Sequence, residues 1–181
     1  LSERQLAEAL GLSEERLQTI SALHAQLREQ ALHDPLTGLF NRRYLIEFFQ
    51  REQARALRER TSLALAMIDL DHFKRLNDSH GHLVGDEVLQ AVAQHLQDNL
   101  RSTDAVFRIG GEEFLLILPD AELDEAVSRV EGLRAQLAAS PLPTRAGALS
   151  VTLSAGVALW PNHGHSLEEL MQAADRALYQ A

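Results

Sequence analysis

The chain contains no cysteine. That excludes disulfides and thiolate-bound metal, and it points to a reducing, cytoplasmic compartment. No apolar run approaches the ~20 residues of a membrane-spanning helix, so no segment of this chain is expected to enter a bilayer. Positive charge is scarce: 17 Lys and Arg face 26 Asp and Glu, a formal net charge of −9. Sequence-independent binding to nucleic acid or anionic lipid draws on clustered basic groups and is not expected. An anionic substrate would need local cations. Internal repeats, low-complexity tracts and an initiating methionine are also missing. The chain opens on Leu1 and stops at Ala181 inside a helical pattern, so it reads as a fragment of a longer protein, which could itself be membrane-tethered.

What is present suits one globular domain. The 181 residues are 45% apolar and 24% charged, and a domain of about 150 residues buries ~70% of its extended-chain surface. Ser2 with Gln5 forms a capping-box pattern that opens a helix, and Ser13 before Glu14 and Glu15 marks a second start after a break at Gly11. Leu17, Ile20, Leu27 and Ala31 then recur at helical spacing. This is either a signalling stalk or an amphipathic helix packed on its own domain. Asp34, Pro35 and Gly38 punctuate the chain, placing a domain boundary near His33, with 1–33 as helical linker and 34–181 as the main domain. Beyond it, apolar spacing predicts helices over 41–59, 84–100, 121–138 and 166–180. Strands are predicted over 62–70 and 149–159, with a hairpin formed by "AVFRI" and "FLLIL" around Gly110 and Gly111. The class is α+β, a sheet covered by helices.

The acids ask for a reason of their own. Asp69 and Asp71 fall at the end of the buried strand, and Glu112 and Glu113 at the hairpin tip. If those strands lie side by side, three or four carboxylates crowd together, and like charges that close raise one another's pKa unless a cation intervenes. All-oxygen ligands favour Mg²⁺ or Mn²⁺ completed by phosphates, pointing to phosphoryl or nucleotidyl transfer with one or two ions. The alternative is that Glu112 and Glu113 are solvated turn residues and Asp69 caps the next helix.

The stretches "DPLTGLFNRR", "DLDHFKRLNDSHGHLVGDEVL", "RIGGEEF" and "PNHGHSLEELMQAADRALYQA" together resemble the GGDEF family of diguanylate cyclases over residues 33–181, in family order. Gly110, Gly111, Glu112, Glu113 and Phe114 form the signature, with Glu in its third place. The resemblance implies a palm-like fold with a mostly antiparallel central sheet, and condensation of two GTP into cyclic di-GMP with release of two pyrophosphates. It implies Asp69, the carbonyl of Leu70, Glu112 and Glu113 around Mg²⁺ or Mn²⁺, two ions per GTP, with Glu112 also the base for the ribose 3′-hydroxyl. The glycines would form a tight tip that lets a nucleotide approach. Asn77 and Asp86 match the guanine-reading positions, since a carboxylate accepts from guanine N1 and N2 and adenine has no N1 donor. Otherwise Asp86 would cap a helix over 87–100. Lys74 is expected on phosphate, and Phe73, in the same substrate-binding motif, in packing.

Arg101 and Asp104 form an RxxD that resembles the family's product-inhibition site, whose usual second arginine aligns here with Gly132, flanked by Arg129 and Arg134. His80 with His82, and His163 with His165, lack a third ligand for zinc. The implied protein is a homodimer with one GTP per subunit, driven by an upstream sensor domain. Its rivals are a silent receptor for cyclic di-GMP or GTP, and a maker of mixed purine dinucleotides. Family members continue with a lysine and a basic stretch, implying weaker GTP binding here.

Overall fold

The structure is a computed structural model that describes residues 2–180. Internal packing divides the chain into two units, Leu1–His33 and Asp34–Ala181. The first is a single helix, α1 (Glu3–Leu32), whose Ser2 and Gln5 close a reciprocal capping box. The expected break at Gly11 and restart at Ser13 do not occur. One glycine costs a helix only ~1 kcal/mol relative to alanine, which the surrounding Glu, Leu, Ala and Arg residues outweigh. No residue of α1 is buried, and Leu6, Leu10, Leu17, Leu23 and Leu27 are each more than half exposed.

The second unit is built on β1 (Phe40–Asn41), β2 (Leu63–Leu70), β3 (Ala105–Arg108), β4 (Glu113–Pro119) and β7 (Leu153–Trp160), ordered β1-β3-β4-β2-β7. Neighbours pair antiparallel except β1 with β3. Beside the sheet lie α2 (Arg42–Glu59), α3 (Phe73–His80), α4 (His82–Asp98), α5 (Leu123–Ala139) and α6 (Leu167–Tyr179), and a separate small hairpin joins β5 (Leu142–Thr144) to β6 (Gly147–Leu149).

The continuous apolar run of β2 has a simple cause: the strand is central and buried on both faces. Ala64, Ala66 and Ile68 pack against Val88, Val92 and Leu96 of α4 and Val130 and Leu133 of α5. Leu63, Leu65 and Met67 pack on the other face against Leu45, Phe48 and Phe49 of α2 and Leu170 of α6. Alternation at period 2 then sends Asp69 to the α2/α6 face, and Glu113 follows Leu115 and Ile117 to the same face.

Several bounds differ from expectation. The strand expected at 149–159 starts at Leu153, because Leu149 belongs to the β5–β6 hairpin, which turns at Gly147 with φ 97°. Helix α4 starts at His82 instead of 84 and ends at Asp98 instead of 100, and α5 covers Leu123–Ala139 instead of 121–138. Helix α3 and strand β1 are additional, both too short for a periodic signal. Among the described residues no helix is long and apolar enough to cross a membrane.

Candidate active site

Strands β2 and β4 end together. Asp69 lies opposite Glu113, and the Leu70 amide donates to the Glu112 carbonyl at 3.2 Å. Burial, and then the charges of Glu112, Glu113, Asp71 and Asp175, push the Asp69 carboxyl up to about 6. Asp175 comes from α6, where it reads in sequence as an ordinary polar-face residue next to buried Ala174. Only the fold brings it to the acids. With Met67, Glu113, Arg42 and Met171 it lines a cavity of about 650 Å³ on the α2/α6 side.

The turn between β3 and β4 is not shaped by left-handed glycines, since neither Gly110 nor Gly111 has a positive φ. A Cβ on Gly110 would overlap the Glu113 carboxylate, while a Cβ on Gly111 would meet nothing within 4 Å. Gly110 makes room for an acid and Gly111 leaves open space. Arg108 clamps this turn from behind. Its Nη2 donates to the Gly111 carbonyl at 2.9 Å, and its Nη1 donates to both Asp34 oxygens at 3.1 and 3.2 Å. Asp34 in turn accepts from Thr37 N at 2.9 Å and Thr37 Oγ1 at 2.7 Å. Burial would raise the Asp34 pKa, but the bonds from Thr37 and Arg108 outweigh it and hold the carboxyl below its usual value. The "DPLTG" and "RIGGEEF" stretches are thus one unit, a link that spacing alone did not expose.

Phe73 is buried in the core, while Lys74, the chain's single lysine, is exposed. Helices α3 and α4 meet at Gly81, whose φ of 87° turns the chain between them. Asp86 therefore lies inside α4, and the alternative that it caps a helix over 87–100 does not hold. Asn77 Oδ1 is buried without a hydrogen-bond partner among the described residues. A Cβ on Gly85 would overlap that same oxygen, so glycine there makes the niche in which the Asn77 amide sits. An orphaned buried acceptor is costly unless a ligand supplies the donor.

Arg101 and Asp104 are already engaged. The Arg101 amide donates to Asp104 Oδ2 at 2.7 Å, and Arg101 Nη1 pairs with Glu125 at 3.0 Å. Arg129 pairs with Asp104, whose side chain is fully covered. Arg134 pairs instead with Glu131 at 2.6 Å. At Gly132 a Cβ would meet nothing within 4 Å. His163 Nδ1 accepts from the Leu159 amide at 2.8 Å, which pins a turn. His80 and His82 flank Gly81 and are exposed, and the His165 amide donates to Glu169.

Among the described residues no three carboxylate or imidazole groups already converge in coordinating geometry. The donor set nonetheless fits a hard cation: Asp69, Glu112 and Glu113 come together where β2 and β4 end, and a divalent ion between them relieves the repulsion that adds to burial in lifting the Asp69 pKa.

A model of the family "Diguanylate cyclase, GGDEF domain" matches residues 31–181. The chain belongs to the GGDEF family. Curated relatives agree. Diguanylate cyclase DgcP of Pseudomonas aeruginosa is 44% identical over 167 residues, 91% of this chain and 25% of that protein. Diguanylate cyclase DosC of Escherichia coli is 41% identical over 169 residues, 91% of this chain and 36% of that protein. This GGDEF chain therefore spans about a quarter to a third of their length. The coiled coil and GGDEF domain of DgcB from Caulobacter crescentus, solved with c-di-GMP, superposes with a TM-score of 0.88 at 30% identity, covering 96% of this chain and 92% of that one.

Proposed function

We propose that this GGDEF chain is a diguanylate cyclase module that joins two GTP into cyclic di-GMP. The observation that carries the reading is the meeting of Asp69 with Glu112 and Glu113 at the joined ends of β2 and β4, where burial and then these charges lift the Asp69 carboxyl to about 6. Such charge density is costly in a substrate-free protein and becomes useful when divalent cations arrive with the phosphates. Asp69, the Leu70 carbonyl, Glu112 and Glu113 would hold two Mg²⁺ or Mn²⁺ ions, which draw charge from the α-phosphate and acidify the attacking hydroxyl. The ribose 3′-oxygen of one GTP bonds to the α-phosphorus of the other, and the bond from that phosphorus to the β-phosphate bridge breaks. Glu112 receives the hydroxyl proton and pyrophosphate departs with the electron pair. The same step on the second nucleotide closes the ring.

Specificity rests on the α3/α4 junction. The orphaned Asn77 Oδ1 and the Asp86 carboxylate accept from guanine donors, and adenine would leave the acid unpaired. Exposed Lys74 meets the phosphates. Because each chain carries one such site, two copies face each other as a homodimer, under an upstream sensor in a cytoplasmic setting. Arg101 and Asp104 belong to a product-binding site in which Asp104 first exchanges its Arg129 partner. Incubation with labelled GTP and ATP in Mg²⁺, followed by chromatography, tests the reading. Cyclic di-GMP from GTP alone is expected. A mixed dinucleotide, or no product with cyclic di-GMP still bound, would overturn it.

A further inference from the structure

Asp71 stands two residues after Asp69, yet its carboxylate is committed to β7. One oxygen accepts from Thr152 Oγ1 at 2.7 Å and the other from Ser154 Oγ at 2.7 Å. The Asp71 amide also donates to the Thr152 carbonyl at 2.9 Å, one bond past the end of the β2–β7 ladder. Immediately after it, before α3 starts at Phe73, His72 adopts a left-handed φ of 56° and ψ of 25°, and no side chain caps the start of the helix. A non-glycine residue held there is strained and persists only where its surroundings over-determine it. The three bonds at Asp71 supply that constraint.

From this geometry we infer that Asp71 is a positioning residue: through Thr152 and Ser154 it locks the 71–72 turn, and so sets the first turns of α3 relative to Asp69. The inference rests on the proposed cyclase reading, because its consequence is the register between metal-facing Asp69 on β2 and the GTP-facing Lys74 and Asn77 on α3. Asp69 itself is held by ladders on both sides of β2, so release of the latch loosens α3 more than β2. Binding of GTP suffers before the chemical step does.

The distinction from a metal-facing acid lies in charge against shape. In Asp71→Asn the amide oxygen accepts from one hydroxyl and the NH₂ donates to the other, so the latch closes without charge. Asp71→Ala and the double variant Thr152→Val with Ser154→Ala both open it. Steady-state kinetics with GTP should show the KM rising about tenfold in the two opened proteins with kcat within about threefold, and Asp71→Asn within about threefold of the parent in both. Combining all three substitutions should add little to Asp71→Ala, as expected for groups in one network. Amide hydrogen exchange over residues 71–77, measured without nucleotide, should quicken in the opened variants and not in Asp71→Asn. This second readout survives if the chain makes no cyclic di-GMP, so failure of the latch and failure of the cyclase reading are told apart. Equal impairment of Asp71→Asn and Asp71→Ala with kcat lost in both, or unchanged exchange in the Thr152/Ser154 pair, would overturn the assignment.

Discussion

Replacing Asp69 by asparagine should stabilise the metal-free protein while removing its activity. In the folded chain the carboxyl is lifted from 3.8 to about 6, by burial first and then by four neighbouring acids. Between those two pH values the folded state holds a proton that the unfolded state has released, so Asp69 lowers stability as pH rises through that window, and its full penalty stands above pH 6. Taken whole, such a shift corresponds to about 3 kcal/mol, and solvent screening at a half-buried rim reduces it to about 1 kcal/mol. Asparagine keeps the shape and removes the charge. In chelator at about pH 7.5 the variant should melt about 2–4 °C above the parent, and the gain should fade towards pH 4. Added Mg²⁺ should raise the parent's melting temperature and leave the variant nearly unmoved. Thermal denaturation with and without chelator at both pH values reads all of this. A variant that melts at or below the parent at pH 7.5 would refute the argument that repulsion around Asp69 is an uncompensated cost.

Glu112→Gln should cut cyclic di-GMP formation by at least ~100-fold with the fold unchanged in circular dichroism, since it removes metal charge and the proton acceptor at a turn outside the core. Gly85→Ala places a methyl where Asn77 Oδ1 now sits; calorimetry should show GTP affinity weakened by about 5- to 30-fold, the worth of one or two unmade hydrogen bonds, and unchanged affinity would move base recognition away from Asn77. Arg129→Ala leaves the fully covered Asp104 carboxylate without its cation and should cost about 2–4 kcal/mol in urea denaturation. By contrast Arg134→Ala, which breaks an exposed pair with Glu131, should leave the urea midpoint nearly unchanged.

The sequence by itself was enough for the α+β class, the central strand at 62–70, four of the helices and the expectation that acids crowd where β2 and β4 end, as the pairing of Asp69 with Glu113 shows. Each of these rests on local physics: a two-sided strand needs a continuous apolar run, an amphipathic helix repeats at 3.6, and a hairpin tip has no structural use for two glutamates. Resemblance to the family then offered Asn77 and Asp86 as guanine readers, a proposal that periodicity alone could not make. Short pieces escaped because β1, α3 and the β5–β6 hairpin have too few residues for a period to emerge. The tertiary structure decided the rest, where distant segments meet. It carried Asp175 from α6 into the field of Asp69, tied Asp34 to the GGEE turn through Arg108 and covered Asp104 with Arg129. It also turned Asp71 towards Thr152 and Ser154, 81 and 83 residues away. A carboxylate's role depends on which donors and charges reach it through space, and that is set by strand register and helix placement, not by its neighbours along the chain.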